Sequence, residues 1–182
     1  AMYFDKPGKE NTKETVSEAI KTANERGISY IVVASNTGET AKFFKGSGLN
    51  IIVVSHVYGF STKGENEMKD EVKGELKDLG MKVITAAHAL SGAERGLTKK
   101  FGGVYPSEIM AFTLRMFGQG VKVCVEISSM ALDAGAIPYD SEIIAVGGTG
   151  RGADTAVILK PEYTDDILNT KICEIICKPR CF

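Results

Sequence analysis

The sequence predicts an α/β fold: a three-layer α/β/α sandwich whose sheet is mostly parallel, with a late antiparallel strand. Apolar, strand-like segments alternate four times with segments of helical spacing, which is the pattern of this architecture. The strand-like segments are also continuously apolar and β-branched, as expected for strands that are buried on both faces. We expect one domain spanning residues 1–182, because a chain of 182 residues rarely needs to divide its core.

The first half of the chain is predicted to contain three strands and three helices. The helical spacing of Val16, Ala19, Ile20 and Ala23 predicts a first helix in "NTKETVSEAIKTANERG", and Gly27 is a natural end for it. The continuous apolar segments "SYIVVAS", "NIIVVSH" and "MKVITA" are predicted strands. Between them, "GETAKFFKGSG" and "NEMKDEVKGELKDLG" are predicted helices, and "VYGFSTKGENE" is a predicted loop.

The second half begins with "AHALSGAERGLTKKFGG", which is predicted to be a long connection because it contains four glycines. The segment "YPSEIMAFTLRMFGQG" is a predicted helix whose Ile109, Phe112 and Met116 face inward, and "VKVCVEISSMALDAG" is a further helix. Only "TGRGAD" separates the predicted strands "SEIIAVGG" and "TAVILK". A helical crossover does not fit there, so the second of these strands should be antiparallel. A sixth, edge strand is predicted in "KICEIICK".

The composition argues against several functional classes. The chain has 22 basic and 23 acidic residues, and no run of Lys or Arg provides a surface for nucleic acid. The apolar stretches are interrupted well before they reach membrane-spanning length. The start of the chain lacks the pattern of a signal peptide, so we expect a cytoplasmic protein that binds neither nucleic acid nor membrane. The expected edge strands and the small size are compatible with a homo-oligomer.

Four cysteines are present, and their spacing does not indicate a metal site. Cys173, Cys177 and Cys181 recur every four residues, without a Cys-x-x-Cys pair and far from the two histidines. Structural zinc sites have tighter paired spacing, so we expect no metal and reduced thiols. Strand alternation would place Cys173 and Cys177 on one face together with Ile175.

The turn after the first predicted strand carries the main functional hypothesis. Ser35, Asn36, Thr37, Gly38 and Thr40 lie where a buried strand meets a predicted helix. The first amides of a helix have no internal partner and, with the helix dipole, favour an anion. The turn is therefore a candidate phosphate site. The alternative is that Ser35 or Asn36 only caps the helix.

The glycine-rich stretch "GGTGRGAD" is a second candidate anion site. Its members are Gly147, Gly148, Thr149, Gly150, Arg151, Gly152, Ala153 and Asp154. Successive free amides in such a loop can form an anion-binding nest, and Arg151 would add a cation. No helix follows, so the stretch does not match the dinucleotide fingerprint. A glycine-rich hairpin with a solvated arginine is an equally good interpretation.

His56 and His88 are the candidate catalytic residues. Each stands just beyond the end of a predicted strand, and carboxyl ends of parallel strands are where ligands bind in such sheets. Ser91 and Glu94 could join His88 in a polar cluster. A hydrolase that uses His88 and Ser91 is disfavoured, because the sequence contains no nucleophile elbow.

Aromatic and acidic residues are further candidates for this site. In "HVYGF", Tyr58 and Phe60 flank Gly59 and could offer a surface for a flat ligand, although core packing is an equally good role for Phe60. Glu126 lies on a predicted helix that is otherwise nearly uncharged after Lys122. We expect Glu126 to face solvent, and a position in the ligand cleft is the alternative.

Several of these motifs resemble a known domain. "VVASNTGETA" is similar to the "LTxSGxSA"-type turn of the pyruvate kinase C-terminal domain, which seats a phosphate of a sugar bisphosphate effector in many members. "EIIAVGGTGRGADTAVIL" resembles that domain's late strand, effector loop and antiparallel strand. The resemblance implies that Ser35, Thr37, Gly38 and Thr40 hold a phosphate. The catalytic barrel of pyruvate kinase has no counterpart here, so kinase activity is not expected.

A narrower resemblance suggests a ligand. The ordered set "KPGKENT", "VVASNTGETA", "GFSTKGENE", "HALSGAERG", "DAGAIP" and "VGGTGRGADTA" resembles stand-alone, largely archaeal proteins of the same domain type without assigned activity. Relatives there are associated with flavin mononucleotide (FMN). The resemblance implies an FMN phosphate on the turn that begins at Ser35, and a ring against His56, Tyr58, Gly59 and His88. A non-enzymatic sensor of a phosphorylated metabolite is the rival hypothesis.

Overall fold

The computed structural model describes residues 1–182 and contains one seven-stranded sheet with helices on both faces. The strands are β1 (Met2–Phe4), β2 (Tyr30–Ala34), β3 (Asn50–Ser55), β4 (Lys82–Thr85), β5 (Ile143–Gly147), β6 (Thr155–Lys160) and β7 (Lys171–Pro179). The helices are α1 (Thr12–Arg26), α2 (Glu39–Lys42), α3 (Asp70–Asp78), α4 (Gly92–Phe101), α5 (Pro106–Arg115) and α6 (Gln119–Asp133). The predicted fold class is confirmed.

The strand order is β1-β7-β6-β5-β2-β3-β4. β5, β2, β3 and β4 are mutually parallel, whereas β6 is antiparallel to β5, as the short connection predicted. From β2, the chain builds outward to β3 and β4 on one side, and then returns to place β5 on the other side of β2. The strand order therefore reverses between β2 and β5.

Strand alternation divides the core into two layers. Ile31 and Val33 of β2 face a layer that contains α1, α2 and α3, and Val32 faces the layer formed by α6. All three side chains are fully buried, because β2 is a central strand that helices cover on both faces. This accounts for the continuous apolar run that the sequence showed.

Three sequence-based predictions about individual elements are wrong. β7 is not an edge strand, because β1 pairs beside it in parallel. The expected long connection after β4 contains the helix α4. In α5, Ile109, Phe112 and Met116 are exposed instead of facing inward.

The prediction that Cys173, Cys177 and Ile175 share one face of their strand is wrong, because β7 is irregular. The pairing register between β6 and β7 shifts at Ala156/Val157, so Ile175 packs toward α6 while Cys177 is buried on the α1 side. Cys173 is exposed. All four cysteines are free, and burial raises the pKa of Cys177 to about 11, which keeps this thiol protonated and unreactive near neutral pH.

Candidate functional site at the carboxyl edge of the sheet

The predicted site residues come together at one edge of the sheet. β2, β3, β4 and β5 run in the same direction, so the segments that follow them leave from the same edge. These segments are residues 35–40, 56–69, 86–91 and 148–154. The first and last flank the reversal in strand order between β2 and β5, and the two histidines follow β3 and β4.

The turn after β2 has a buried anchor and a set of free amides. Ser35 is buried, and its hydroxyl accepts a hydrogen bond from the Ala41 amide at 3.3 Å, so it supports the short helix α2. The backbone amides from Asn36 to Thr40 donate to no acceptor within the protein. Thr37 and Glu39 are exposed, whereas Thr40 is buried. The N-cap of α2 is Gly38, so neither Ser35 nor Asn36 takes the cap position that was the alternative. Ser35 supports the helix from outside that position, and the amides from Asn36 to Thr40 remain available.

Gly38 is required by the packing of α3. Its φ angle is 91°, and an ideal Cβ at this position would lie 2.5 Å from Val72 Cγ1 and 3.4 Å from Leu76 Cδ1. Real side chains do not tolerate the first of these distances, so a larger residue at this position would have to displace the Val72 side chain of α3. A structural reason for this glycine therefore exists without a ligand, and its role beside a phosphate stays a prediction.

His56 is held by a carboxylate that the sequence analysis did not identify. His56 Nδ1 lies 2.5 Å from Glu67 Oε2, and Glu67 Oε1 accepts a hydrogen bond from the Ser61 hydroxyl at 2.8 Å. Asn66 Nδ2 donates to the His56 carbonyl at 2.8 Å, which closes the loop that returns Glu67 to the histidine. A carboxylate only accepts, so Nδ1 carries the proton and Nε2 is the remaining nitrogen for a ligand.

Three rings form a cluster beside this pair. The ring centroids of His56 and Phe60 are 3.8 Å apart, and His88 stands edge-on at 5.2 Å from His56 and 5.6 Å from Phe60. Phe60 is 53% exposed, so it is not a core residue. Tyr58 is separate from the cluster: its hydroxyl accepts a hydrogen bond from Lys73 Nζ at 3.1 Å. Of the two predicted aromatic residues, only Phe60 joins the histidines.

Glu126 is buried, which contradicts the expectation that it faces solvent. Only 1% of its surface is exposed. Glu126 Oε2 pairs with the buried ammonium group of Lys122, and Oε1 accepts a hydrogen bond from the Leu90 amide at 2.9 Å. The carboxylate therefore anchors the segment that carries His88 to α6.

The environment of His88 favours the neutral imidazole. Burial lowers the pKa of His88 below its usual value of 6.5. The carboxylate of Glu126 opposes this effect, and the positive charge of Lys122 adds to it. The predicted cluster with Ser91 and Glu94 does not form, because Glu94 Oε2 accepts hydrogen bonds from the amide and the hydroxyl of Ser107 at the start of α5.

The glycine loop after β5 is packed tightly against its neighbours. An ideal Cβ would lie 2.9 Å from Val123 Cγ1 at Gly147, 2.7 Å from the Gly152 carbonyl at Gly148, and 2.4 Å from Thr12 Oγ1 at Gly152. These three glycines are therefore explained by close packing. Gly150 has open space around it and Arg151 is exposed, as the hairpin interpretation requires.

Asp154 fixes this loop from inside. It is fully buried, and its Oδ2 accepts hydrogen bonds from the amides of Gly8 at 3.0 Å and Thr149 at 3.2 Å. Its Oδ1 accepts the Thr155 hydroxyl at 2.8 Å. Asp154 is thus a structural carboxylate. The hydroxyl of Thr149, in contrast, is buried and has no partner.

Most of the chain matches a known protein family. The family described as "Pyruvate kinase, alpha/beta domain" matches residues 13–159. The chain belongs to this family. The match begins inside α1 and ends inside β6, so it includes all four segments of the carboxyl edge.

Solved structures similar to this chain include pyruvate kinases from Cryptosporidium parvum. Three of them, one in complex with ADP, are each 17% identical to it. They cover 81%, 81% and 84% of the chain with TM-scores of 0.42, 0.39 and 0.39. The chain spans only 22% of the length of each of these proteins.

Two further observations concern metal ions and membranes. No three His, Cys, Asp or Glu side chains lie close enough to bind a metal ion together. None of its helices combines the length and the apolar character needed to cross a bilayer.

Sequence reasoning missed Glu67 and Lys122 in this α/β domain. Lys122 and Glu126 are four residues apart on a helix, a spacing that indicates an ion pair.

The amides that follow the buried hydroxyl of Ser35 remain the clearest unfilled hydrogen-bonding groups at this edge.

Proposed function

We propose that this protein binds a phosphorylated ligand, flavin mononucleotide, at the carboxyl edge of its parallel strands. The observation that carries the proposal is the set of backbone amides from Asn36 to Thr40, which have no acceptor within the protein. These amides stand at the reversal in strand order between β2 and β5, where ligands bind in open α/β sheets. Backbone amides in such a turn are suited to an anion.

The neighbouring loop supports a phosphate in the same crevice. Thr149 has a buried hydroxyl without a partner, and its loop leaves β5 next to the turn that leaves β2. Arg151, at the exposed tip, supplies a cation that can approach the ligand from outside. The acidic side chain of Glu39 is exposed and so need not approach the phosphate.

The ring cluster supports a flat ligand. Phe60 presents about half of its surface to solvent, and the imidazoles of His56 and His88 lie against it. Aromatic rings pair with other flat rings in offset-stacked or edge-to-face arrangements, so an exposed Phe60 is suited to a planar ligand. These residues would hold the isoalloxazine ring of FMN, and the free amides would hold its phosphate.

A redox role would use FMN for the electron transfer and the protein for positioning. The chain's own contribution is a proton site: Glu67 fixes the proton of His56 on Nδ1, so Nε2 can accept a proton from the ligand or return it. His88 contributes a second, neutral imidazole close to it.

Titration with FMN, monitored by the quenching of flavin fluorescence, tests whether the free amides bind the phosphate group. Thr37→Asp places a negative charge among the free amides without disturbing the core, because Thr37 is exposed. We expect its affinity for FMN to fall at least tenfold, since like charges a few ångströms apart near a surface repel by more than about 1.4 kcal/mol. Asn50→Asp, which adds the same charge at the opposite edge of the sheet, is the control and should leave the affinity unchanged.

The variant Phe60→Ala, in the same assay, tests whether Phe60 contacts the isoalloxazine ring. We expect a loss of roughly 0.5–1.5 kcal/mol of binding free energy for FMN, and no loss for ligands that lack a flat ring. If the wild-type protein neither releases flavin on denaturation nor binds added FMN, the flavin assignment is wrong.

A sensor of a phosphorylated metabolite is the second candidate, because the free amides recognise a phosphate regardless of what it is attached to. A thermal-shift panel of phosphosugars and nucleotides separates the two functions. Stabilisation by a phosphosugar, abolished by Thr37→Asp and absent with FMN, would favour the sensor.

A further inference from the structure

Exposed apolar side chains are concentrated in one part of the molecule. Seven of the seventeen large exposed hydrophobic residues lie between positions 97 and 117: Leu97, Phe101, Val104, Ile109, Phe112, Met116 and Phe117. This short stretch runs from the second half of α4 through α5 to the two residues that follow it. Single exposed apolar residues are ordinary on protein surfaces, whereas a local concentration of this kind marks an interaction surface.

α5 carries the most regular part of this surface. Ile109, Phe112 and Met116 are spaced by three and four residues, so they form one stripe along the helix. Their exposed fractions are 57%, 65% and 75%. Ala111, on another side of α5, is buried, and α5 packs against α6. α5 therefore has two apolar sides, of which only one is covered.

The stripe is large enough for the apolar centre of an interface. At about 200 Å² for a fully exposed aromatic side chain, and less for the other two, Ile109, Phe112 and Met116 present on the order of 350 Å². A standard interface buries roughly 800 Å² on each partner, of which little more than half is apolar and the rest is a polar rim.

The charges beside the stripe fit a second copy of the same helix. Glu108 precedes the stripe and Arg115 lies near its end. In an antiparallel pair of α5 helices centred on Phe112, Ile109 lies opposite the partner's Met116, and Glu108 lies close to the partner's Arg115. A two-fold axis perpendicular to the helix produces this arrangement, and it repeats each contact twice.

We propose that the stripe of Ile109, Phe112 and Met116 is a homodimer interface, in which α5 packs antiparallel against α5 of a second copy. Glu108 and Arg115 can each still form an ion pair across this interface. Glu108 uses Oε1 to accept the Thr98 hydroxyl, and Arg115 uses Nε to donate to Gln119 Oε1. The second carboxylate oxygen and the terminal guanidinium nitrogens are free to pair between copies.

Sedimentation velocity over a range of protein concentrations tests the interface. We expect the wild-type protein to dimerise, and Phe112→Lys to raise the dissociation constant by about 30-fold or more, as for the central residue of an interface. Leu168→Lys is the matched control, because Leu168 is 82% exposed and lies outside the stripe. It should leave the dimer intact. Circular dichroism of both variants confirms that they are folded.

Charge reversal tests the register. Glu108→Arg should weaken the dimer, because it places two arginines together at both ends of the helix pair. Addition of Arg115→Glu should restore association, since the opposite charges are then exchanged between copies. A wild-type protein that stays monomeric overturns the proposal, as do equal effects of Phe112→Lys and Leu168→Lys or a double variant that does not recover. A monomer that instead sediments with anionic lipid vesicles would assign the stripe to a membrane surface. The experiment uses no ligand, so its result is independent of the proposed function.

Discussion

α5 and α6 are consecutive helices that the sequence predicted by the same periodicity, yet their surroundings differ. Twelve of the fifteen residues of α6 are buried, whereas α5 buries only Ala111. α6 packs directly on the sheet, and the segment that contains Leu90 covers its other side. Even the charged pair of Lys122 and Glu126 is therefore buried. α5 lies outside α6, one layer further from the sheet. Periodicity therefore identifies a helix and its apolar stripe, but the number of layers around the helix determines whether the stripe is buried.

The strongest expected effect concerns the charged pair of α6. Lys122→Met leaves the Glu126 carboxylate buried with the Leu90 amide as its only partner. We expect the free energy of unfolding in urea to fall by about 3–5 kcal/mol, as when one member of a buried ion pair is removed. The double variant Lys122→Met/Glu126→Gln should recover most of this loss. A single variant as stable as the wild type would show that the pair is not enclosed.

The next largest difference is expected when an apolar side chain is truncated in each of the two helices. Ile127→Ala, in α6, removes a buried side chain and should cost about 2–5 kcal/mol. Ile109→Ala, in α5, should change the stability by less than about 0.5 kcal/mol in dilute solution, because the side chain is exposed. Urea denaturation measures both. Equal losses would mean that α5 is covered within a single chain.

Glycine replacement provides a smaller contrast. At Gly120 of α6, an ideal Cβ would lie 2.1 Å from Thr155 Oγ1, so Gly120→Ala should destabilise the protein by about 1–3 kcal/mol. Gly96 of α4 has open space around it, and Gly96→Ala should stabilise the helix by about 0.5–1 kcal/mol. Opposite shifts in melting temperature are expected. Shifts of the same sign would contradict the packing described for α6.

The smallest effect is a pH dependence beside α6. The pKa of His88 is lowered by burial, so between that value and 6.5 the unfolded chain binds more protons than the folded protein. The contribution of His88 to stability is therefore fully present above pH 6.5 and is lost as the pH falls toward the folded pKa. His88→Gln should flatten the stability profile below pH 6.5. An unchanged profile would show that the imidazole is freely solvated.

The central part of the fold could be predicted from the sequence, because it rests on local patterns. The apolar runs of β2 and β3 identify buried strands, and the short link to β6 requires an antiparallel return. β1 was missed, since three residues carry little periodic signal and their pairing with β7 joins opposite ends of the chain. α4 was missed because its glycines suggested a loop, although Gly92 and Gly102 stand at its two ends and only Gly96 lies inside.

The sequence predicted where the site lies, at the carboxyl ends of the parallel strands, but not which side chains contact each other there. Strand ends identified the turn of Ser35 and both histidines, because parallel strands deliver their following segments to one side. The partner of His56 could not be found in this way. Glu67 reaches it only after the intervening loop closes on itself through Asn66, and no sequence spacing encodes that closure.

α4 has a different kind of attachment from every other long helix of the domain. It buries no residue, and polar bonds tie it to the start of α5: Glu94 accepts from Ser107, and Thr98 donates to Glu108. Water can replace such bonds at little cost, whereas apolar contacts have no substitute in solvent. We therefore expect the amides of α4 to exchange with solvent hydrogen faster than those of α6, because detaching α4 exposes no buried residue.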